Sequence, residues 1–239
     1  VGDALALLGV TSAADARLLY GRGPEGGPDD DPLGDARAVV VVASGGRAFW
    51  ERLPAAARAG EPHPIDRAGR EAIARALPAL PAGSRLVEQE ATDRFDLRRL
   101  AERAGLGVVS PHLLLLIHPV FGPWVSVRGL VAVPVDLPAT GPLAYDPCGA
   151  CARPCLDACP VGAYSRAASF DVDRCATHRL RSDDVPPPAA HCAERCHARY
   201  ACVVGPEHAY GDAESRHRHR AGLPMLRAWK GVEIERGGA

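Results

Sequence analysis

The first 140 residues alternate between helical and strand-like spacing of their apolar positions, and that alternation predicts most of the elements. The spacing of ALALL, and Thr11 and Ser12 as caps ahead of AADARLLY, predict two short helices, followed by a Gly/Pro/Asp loop over 21–34. AVVVVA at 38–43 is a β-branched run between turn residues, so it predicts a strand buried on both faces. GRAFWERLPAAARAG predicts a helix interrupted at Pro54, whose ring and missing N–H break the ladder. PIDRAGREAIARAL predicts a second helix with Ile65, Ala68, Ile73 and Leu77 on one face.

SRLVEQ reads as a strand, and FDLRRLAERAG as a helix that buries Leu97, Leu100, Ala101 and Ala104 and stops at Gly105. HLLLLIHP and WVSVRGLVAVPVDL read as two strands joined by the VFGP turn. These elements predict an α+β sandwich on an antiparallel or mixed sheet. Beyond Cys148 the chain turns short, cysteine-rich and irregular, which places a boundary near 140–146. The expected organisation is an α+β domain over 1–142, a cysteine domain over 143–210 and a tail over 211–239. RHRHRAG at 216–222 reads as a flexible basic part of that tail.

Composition narrows the class. With 239 residues, 47% of them hydrophobic and 24% charged, the chain can bury a core and matches neither a disordered nor a membrane protein. No uninterrupted run of about 18 apolar residues exists, and LLLLI at 113–117 is strand-sized, so no membrane partner is expected. The opening VGDALALLGV lacks a charged region followed by an apolar stretch and a cleavage site, which predicts a cytoplasmic protein. A net charge of −1 offers no basic field, so nucleic acid is expected to be an unlikely partner.

All eight cysteines lie between 148 and 202. Cys148, Cys151, Cys155 and Cys159, followed at once by Pro160, match the ferredoxin run Cys-x2-Cys-x2-Cys-x3-Cys-Pro, except for one extra residue between the second and third. Closely spaced cysteines in a tight loop can turn their sulfurs inward while backbone N–H groups point at the same centre and stabilise a negative cluster. In the two-cluster ferredoxin arrangement the first three cysteines hold the near cluster and the one before proline reaches the other. The expected ligands are therefore Cys148, Cys151, Cys155 and Cys202 for the first [4Fe–4S] cluster, and Cys159, Cys175, Cys192 and Cys196 for the second. Structural zinc also takes four thiolates and is the competing metal; a histidine near the second set could replace a thiolate.

These residues sit in a wider pattern that resembles the epoxyqueuosine reductases and, more distantly, the reductive dehalogenases. LAERAGLGVVSPHLLLLIHPVFGPWVSVRGLVAVPVDLP is similar to the segment in which that family carries an Ala-Gly-Leu-Gly turn, a Leu-rich strand, a Pro-x-Phe-Gly turn and a second strand leading to the first cysteine. FDVDRCATHRL resembles its lone cysteine after the first run, and the resemblance covers about 92–203. It implies a nitroreductase-like α+β domain followed by a small ferredoxin-like two-cluster domain, with cobalamin between them. It also implies a proton-donating role for Asp93, whose plainer reading is a helix cap or solvated loop residue. Ser110, Pro111 and His112 stand where the family usually has Gly-Lys-Asn or Gly-Lys-His. The second cysteine set lacks the family's tight ending, and the chain stops at 239 without the helical repeats that engage tRNA, so reduction of a tRNA base is not expected.

Two functions follow. One is a ferredoxin-like electron carrier with a redox protein as partner; the other is a cobalamin-dependent reductase in which the clusters feed a corrinoid. GRGPEGGPDDD does not sit between a strand and a helix, so a nicotinamide donor has no support.

Overall fold

The computed structural model describes residues 7–21, 31–165, 170–183 and 191–231. Its centre is the sequence's most apolar run: β2 (Ala38–Gly45) is buried at every position but the last, as the β-branched AVVVVA predicts. To one side lies β1 (Leu7–Ser12), and to the other β6 (Val125–Val133), with β3 (Arg85–Leu86) beyond it. All three pairings are antiparallel, with Val10 opposite Val40 and Val40 opposite Val131. A β-bulge at Val42/Ala43 absorbs a register shift against β6.

Both faces of this sheet are covered. Val39, Val41, Ala43, Leu130 and Ala132 pack against α1 (Ala13–Arg17) and α6 (Leu97–Arg103) through Ala13, Ala16, Leu100 and Ala101. Val40, Val42, Val131 and Val133 meet Ile73 of α4 (Pro64–Ala76) on the other face. The short helices α2 (Ala48–Glu51) and α3 (Ala55–Gly60) flank Pro54 as the proline predicts, and Phe49, Trp50 and Leu53 close a satellite core with Ile65. Helix α5 (Gln89–Thr92) precedes α6, whose N-cap Asp96 accepts from the Arg99 N–H and whose end is marked by Gly105 at φ 76°. The fold is α+β, with an antiparallel sheet between helical layers.

Two expectations fail here for identifiable reasons. Leu7–Ser12 forms a strand and not a helix, because the exposed edge of β2 offers it a complete ladder of partners; the Ser12 cap itself is correct, since its hydroxyl accepts from the Asp15 N–H. The remainder of ALALL, and 22–30 of the expected loop, lie outside the described residues. The Leu-rich run does not form a hairpin with β6. Leu114 takes φ 54°, which breaks the run, and only β5 (Leu116–Ile117) pairs, with β4 (Val108–Val109), in a separate sheet.

The cysteine-bearing region is built from α7 (Pro154–Asp157), α8 (Val172–Asp183), α9 (His191–Glu194) and α10 (His197–Tyr200). Two further helices, α11 (Asp212–Ala221) and α12 (Leu223–Trp229), pack on it, with Leu223 and Leu226 against Ala176 of α8. RHRHRAG is thus helical rather than a loose tail: Glu214 and Ser215 are buried, and Arg218 is ion-paired to Glu214 at 2.7 Å. Among the described residues no helix is long and apolar enough to cross a membrane.

Candidate functional site: two cysteine-lined cavities

The loop before α7 is folded by Asp146, whose Oδ1 accepts from the N–H groups of Cys148 (3.1 Å) and Gly149 (2.8 Å). A Cβ at Gly149 would lie 2.2 Å from Asp146 Oδ2, so a side chain there would displace the carboxylate that holds this turn. The residue by which the run exceeds the ferredoxin spacing falls in the bend before Pro154, where Arg153 adopts the left-handed conformation (φ 62°, ψ 49°). That bend also aims the Arg153 N–H at Cys151 Sγ, 3.3 Å away. Cys155 follows on α7, buried beside Leu113, Ile117 and Leu156.

Cys148, Cys151, Cys155 and Cys202 line one cavity, together with Ser110, His112, Leu113 and Val204. Ser110 is not among the ligands the sequence predicts, although its triplet departs from the family pattern. Its hydroxyl lies 3.4 Å from Cys148 Sγ and accepts from the N–H groups of His112 and Leu113.

Cys202 owes its place to backbone packing. The VFGP turn, held by His118 Nδ1 accepting from the N–H groups of Val120 and Phe121, lies directly on the Val204–Gly205 backbone. A Cβ at Gly122 would sit 1.9 Å from the Val204 carbonyl oxygen, and one at Gly205 2.6 Å from that of Val120.

Cys159, Cys175, Cys192 and Cys196 line a second cavity with Tyr164, His178, Arg179 and His219. Three residues separate Cys155 from Cys159, and α7 carries the chain from one cavity to the other. The Ala163 N–H points at Cys159 Sγ (3.3 Å) after a turn at Gly162, φ 61°. Cys175 stands on α8, Cys192 on α9, and Cys196 is the N-cap residue of α10. His219 of α11, expected in a tail, reaches the Cys192 carbonyl with Nδ1 at 3.3 Å, and Arg179 donates to the His219 carbonyl at 2.7 Å.

No disulfide joins the eight cysteines. Burial pushes the Cys175 thiol up to about 11 and that of Cys192 up to about 12, and it raises Cys155, Cys196 and Cys202 as well. Repulsion between neighbouring thiols adds to this within each set: Cys155 and Cys202 feel Cys148 and Cys151, whereas Cys175 and Cys192 feel Cys159 and Cys196, partly offset there by the Arg179 charge. Four thiols confined together in apolar surroundings ionise only against a cation, which inverts this balance. Among the described residues no three His, Cys, Asp or Glu side chains converge closely enough to hold one metal ion.

Asp93 lies apart from both cavities. It follows α5 on the surface, and its carboxylate accepts from Gln89 Nε2 at 2.7 Å. The capping role falls to Asp96 instead. Trp124 is packed, edge-on to Tyr200 and Tyr210.

The sequence matches no protein-family model and no curated protein. Solved structures are similar in shape. Epoxyqueuosine reductase from Bacillus subtilis, with its catalytic aspartate loop swung out of the active site, superposes with a TM-score of 0.56 over 89% of this chain at 19% identity. The enzyme from Streptococcus thermophilus gives 0.55 over 84% at 16%. The chain spans 65% and 63% of those two proteins. An epoxyqueuosine reductase holding an epoxyqueuosine-modified tRNA-Tyr stem loop gives 0.56 over 89% at 19%, and 65% of it is covered. That complex corrects the inference from net charge that nucleic acid is an unlikely partner, because a protein of this shape is solved with RNA bound. At this level of identity the likeness is one of architecture, and the chain has an epoxyqueuosine reductase-like fold.

Proposed function

We propose that this protein is an iron–sulfur oxidoreductase that holds two [4Fe–4S] clusters and passes their electrons to a corrinoid, with an RNA of the tRNA stem-loop kind as candidate substrate. One observation carries the reading: the eight cysteines divide into two separate cavities of four, with Cys159 leaving its sequence neighbours to join Cys175, Cys192 and Cys196. A two-cluster ferredoxin uses its ligands in this way. The nitroreductase-like and ferredoxin-like description of the two halves, with a boundary near 142, belongs to the same proposal. So do a reducing, cytoplasmic setting and a redox protein as electron donor.

Donor chemistry supports clusters over zinc. A tetrahedral zinc draws four thiolates to about 2.3 Å from one ion, and the side chains here are not that close. A cluster interposes several irons and holds its ligands farther apart. The clusters supply one-electron chemistry. The chain's own contribution is to hold eight thiolates, exclude water with Leu113, Ile117, Leu156 and Tyr164, and aim the Arg153 and Ala163 N–H groups at ligand sulfurs.

The fold likeness favours the reductase over a plain carrier, although the described residues do not define a corrinoid seat. An apolar hollow of about 160 Å³ between α6, β5 and β6 takes a small group and not a macrocycle. Asp93 remains the proposed proton donor, on an exposed segment that would have to close over substrate.

Anaerobic reconstitution should give about eight irons and eight sulfides per chain, and Cys151→Ala should keep about half of each. Zinc without acid-labile sulfide would refute the reading. An unchanged cob(II)alamin spectrum on titration with the reduced protein would remove the corrinoid and leave a carrier.

A further inference from the structure

Away from both cysteine cavities, α2, α3 and the start of α4 face α11 and α12 across a cavity of about 640 Å³, within the range of small-molecule sites. Its hollowness comes from residue size: Ala55 and Ala59 on one wall, Ala221 on the other, end at Cβ. Its rim is basic. Arg58, Arg216 and Arg220 line it, and the single acid there, Glu61, is already taken up by Arg67 through contacts of 2.6–2.8 Å.

Only part of the charge on that rim is paired among the described residues. Arg216 shares Glu194 at 3.1 Å, but neither Arg58 nor Arg220 has a carboxylate partner among the described residues. Arg58 Nε is buried without a hydrogen-bond partner, its guanidinium standing 5.9 Å from the Trp50 ring centre. Planar guanidinium forks suit phosphate, and an apolar, small-walled floor suits a ring system. His217, packed against Trp50 at 4.9 Å, has its pKa lowered by burial and then by the Arg218 charge, so it enters as a neutral hydrogen-bonding group.

We propose that this cavity binds a nucleoside phosphate, with Arg58 and Arg220 on the phosphate and the base over the alanine-walled floor. The nucleotide is either free or one unit of an RNA strand. The site is separate from the clusters, so its failure leaves the reading of the cysteines untouched. It adjoins them through α11, which presents Arg216, His217 and Arg220 to the cavity and His219 to the Cys192 carbonyl.

Calorimetric titration of the reconstituted protein tests this with AMP, adenosine, inorganic phosphate and a short oligoribonucleotide. AMP should bind at least about tenfold more tightly than adenosine or phosphate. The double change Arg58→Ala, Arg220→Ala should lose about tenfold or more by removing charge, and Ala59→Phe should do the same by filling the space. Both variants should keep their iron content and circular dichroism. Binding of the oligoribonucleotide alone, lost in the same variants, assigns the nucleotide to an RNA strand. Binding of neither AMP nor the oligoribonucleotide overturns the proposal, as does AMP that binds but no more tightly than phosphate, or affinity that survives both variants.

Discussion

Ser110 shows how a single hydroxyl can tune a site that lies far away in sequence. It is 1% exposed, and because its oxygen accepts two backbone N–H groups, its own hydrogen is left to donate toward Cys148 Sγ. A donor to a ligand sulfur stabilises the extra electron of the reduced cluster. Ser110→Ala should therefore make the first cluster's potential more negative by about 40 mV, corresponding to one hydrogen bond of about 1 kcal/mol for a one-electron couple. Redox titration followed by electron paramagnetic resonance reads this directly, and an equal shift in both clusters would argue against the contact. The triplet Ser110-Pro111-His112 was visible in the sequence as an anomaly, but its role was not, since only the tertiary fold brings Ser110 to Cys148. The run Cys148–Cys159 stands out because its spacing is local, whereas Cys175, Cys192, Cys196 and Cys202 join it only through the fold. Asp93 was the opposite case: a carboxylate picked by resemblance, which the structure leaves on the surface.

At the scale of elements, the turn from His118 to Gly122 is the piece whose geometry the cysteines depend on. Gly122, at φ 54°, lies against the Val204 carbonyl, two residues beyond Cys202. Gly122→Ala should cost about 2 kcal/mol in backbone strain, push Val204 away and, if Cys202 is a ligand of the proposed first cluster, lower iron toward half. Intact iron in that variant would show the turn to be incidental. Acid should loosen the same turn. Burial, then the nearby His208, lowers the His118 pKa below 6.5, and its Nδ1 must stay unprotonated to accept from Val120 and Phe121. The native state thus binds fewer protons than the unfolded chain, and stability falls as pH drops from 6.5 through the folded value. Denaturant titrations at pH 7 and pH 5.5 should show that loss, and His118→Asn, which keeps an acceptor without titrating, should flatten it. The sequence announced this turn through its Phe-Gly-Pro but misjudged what it joins. The pattern of HLLLLIHP reads as one continuous strand, whereas Leu114 in the left-handed region ends it, a break no hydrophobic period encodes.

For the whole molecule, the question is whether the sheet and the cysteine region fold as one, and a buried polar joint between them provides the means. Arg199 of α10 lies over the rings of Trp124 and Tyr210, Arg218 of α11 over Tyr210, and Tyr210 meets Ser126 of β6 at 3.1 Å. Arg128 of β6 is 2% exposed at its side chain, bonded to Ser44 of β2 and Asp66 of α4. Glu214 is the acid at the centre, fully buried and doubly bonded to Arg218. This joint was illegible in sequence because α11 reads as polar all round: DAESRHRHRA has no apolar stripe, and its helix is held by ion pairing and cation–π contacts rather than by hydrophobic burial. Glu214→Ala leaves Arg218, and beyond it Arg128, without their central anion, and breaking a buried pair from one side costs about 3 kcal/mol or more. If the joint couples the two halves, visible absorbance of the clusters and far-ultraviolet circular dichroism should be lost together, in one transition lowered by several degrees. Two separated transitions would mean that the cysteine region unfolds on its own and the joint is a local contact.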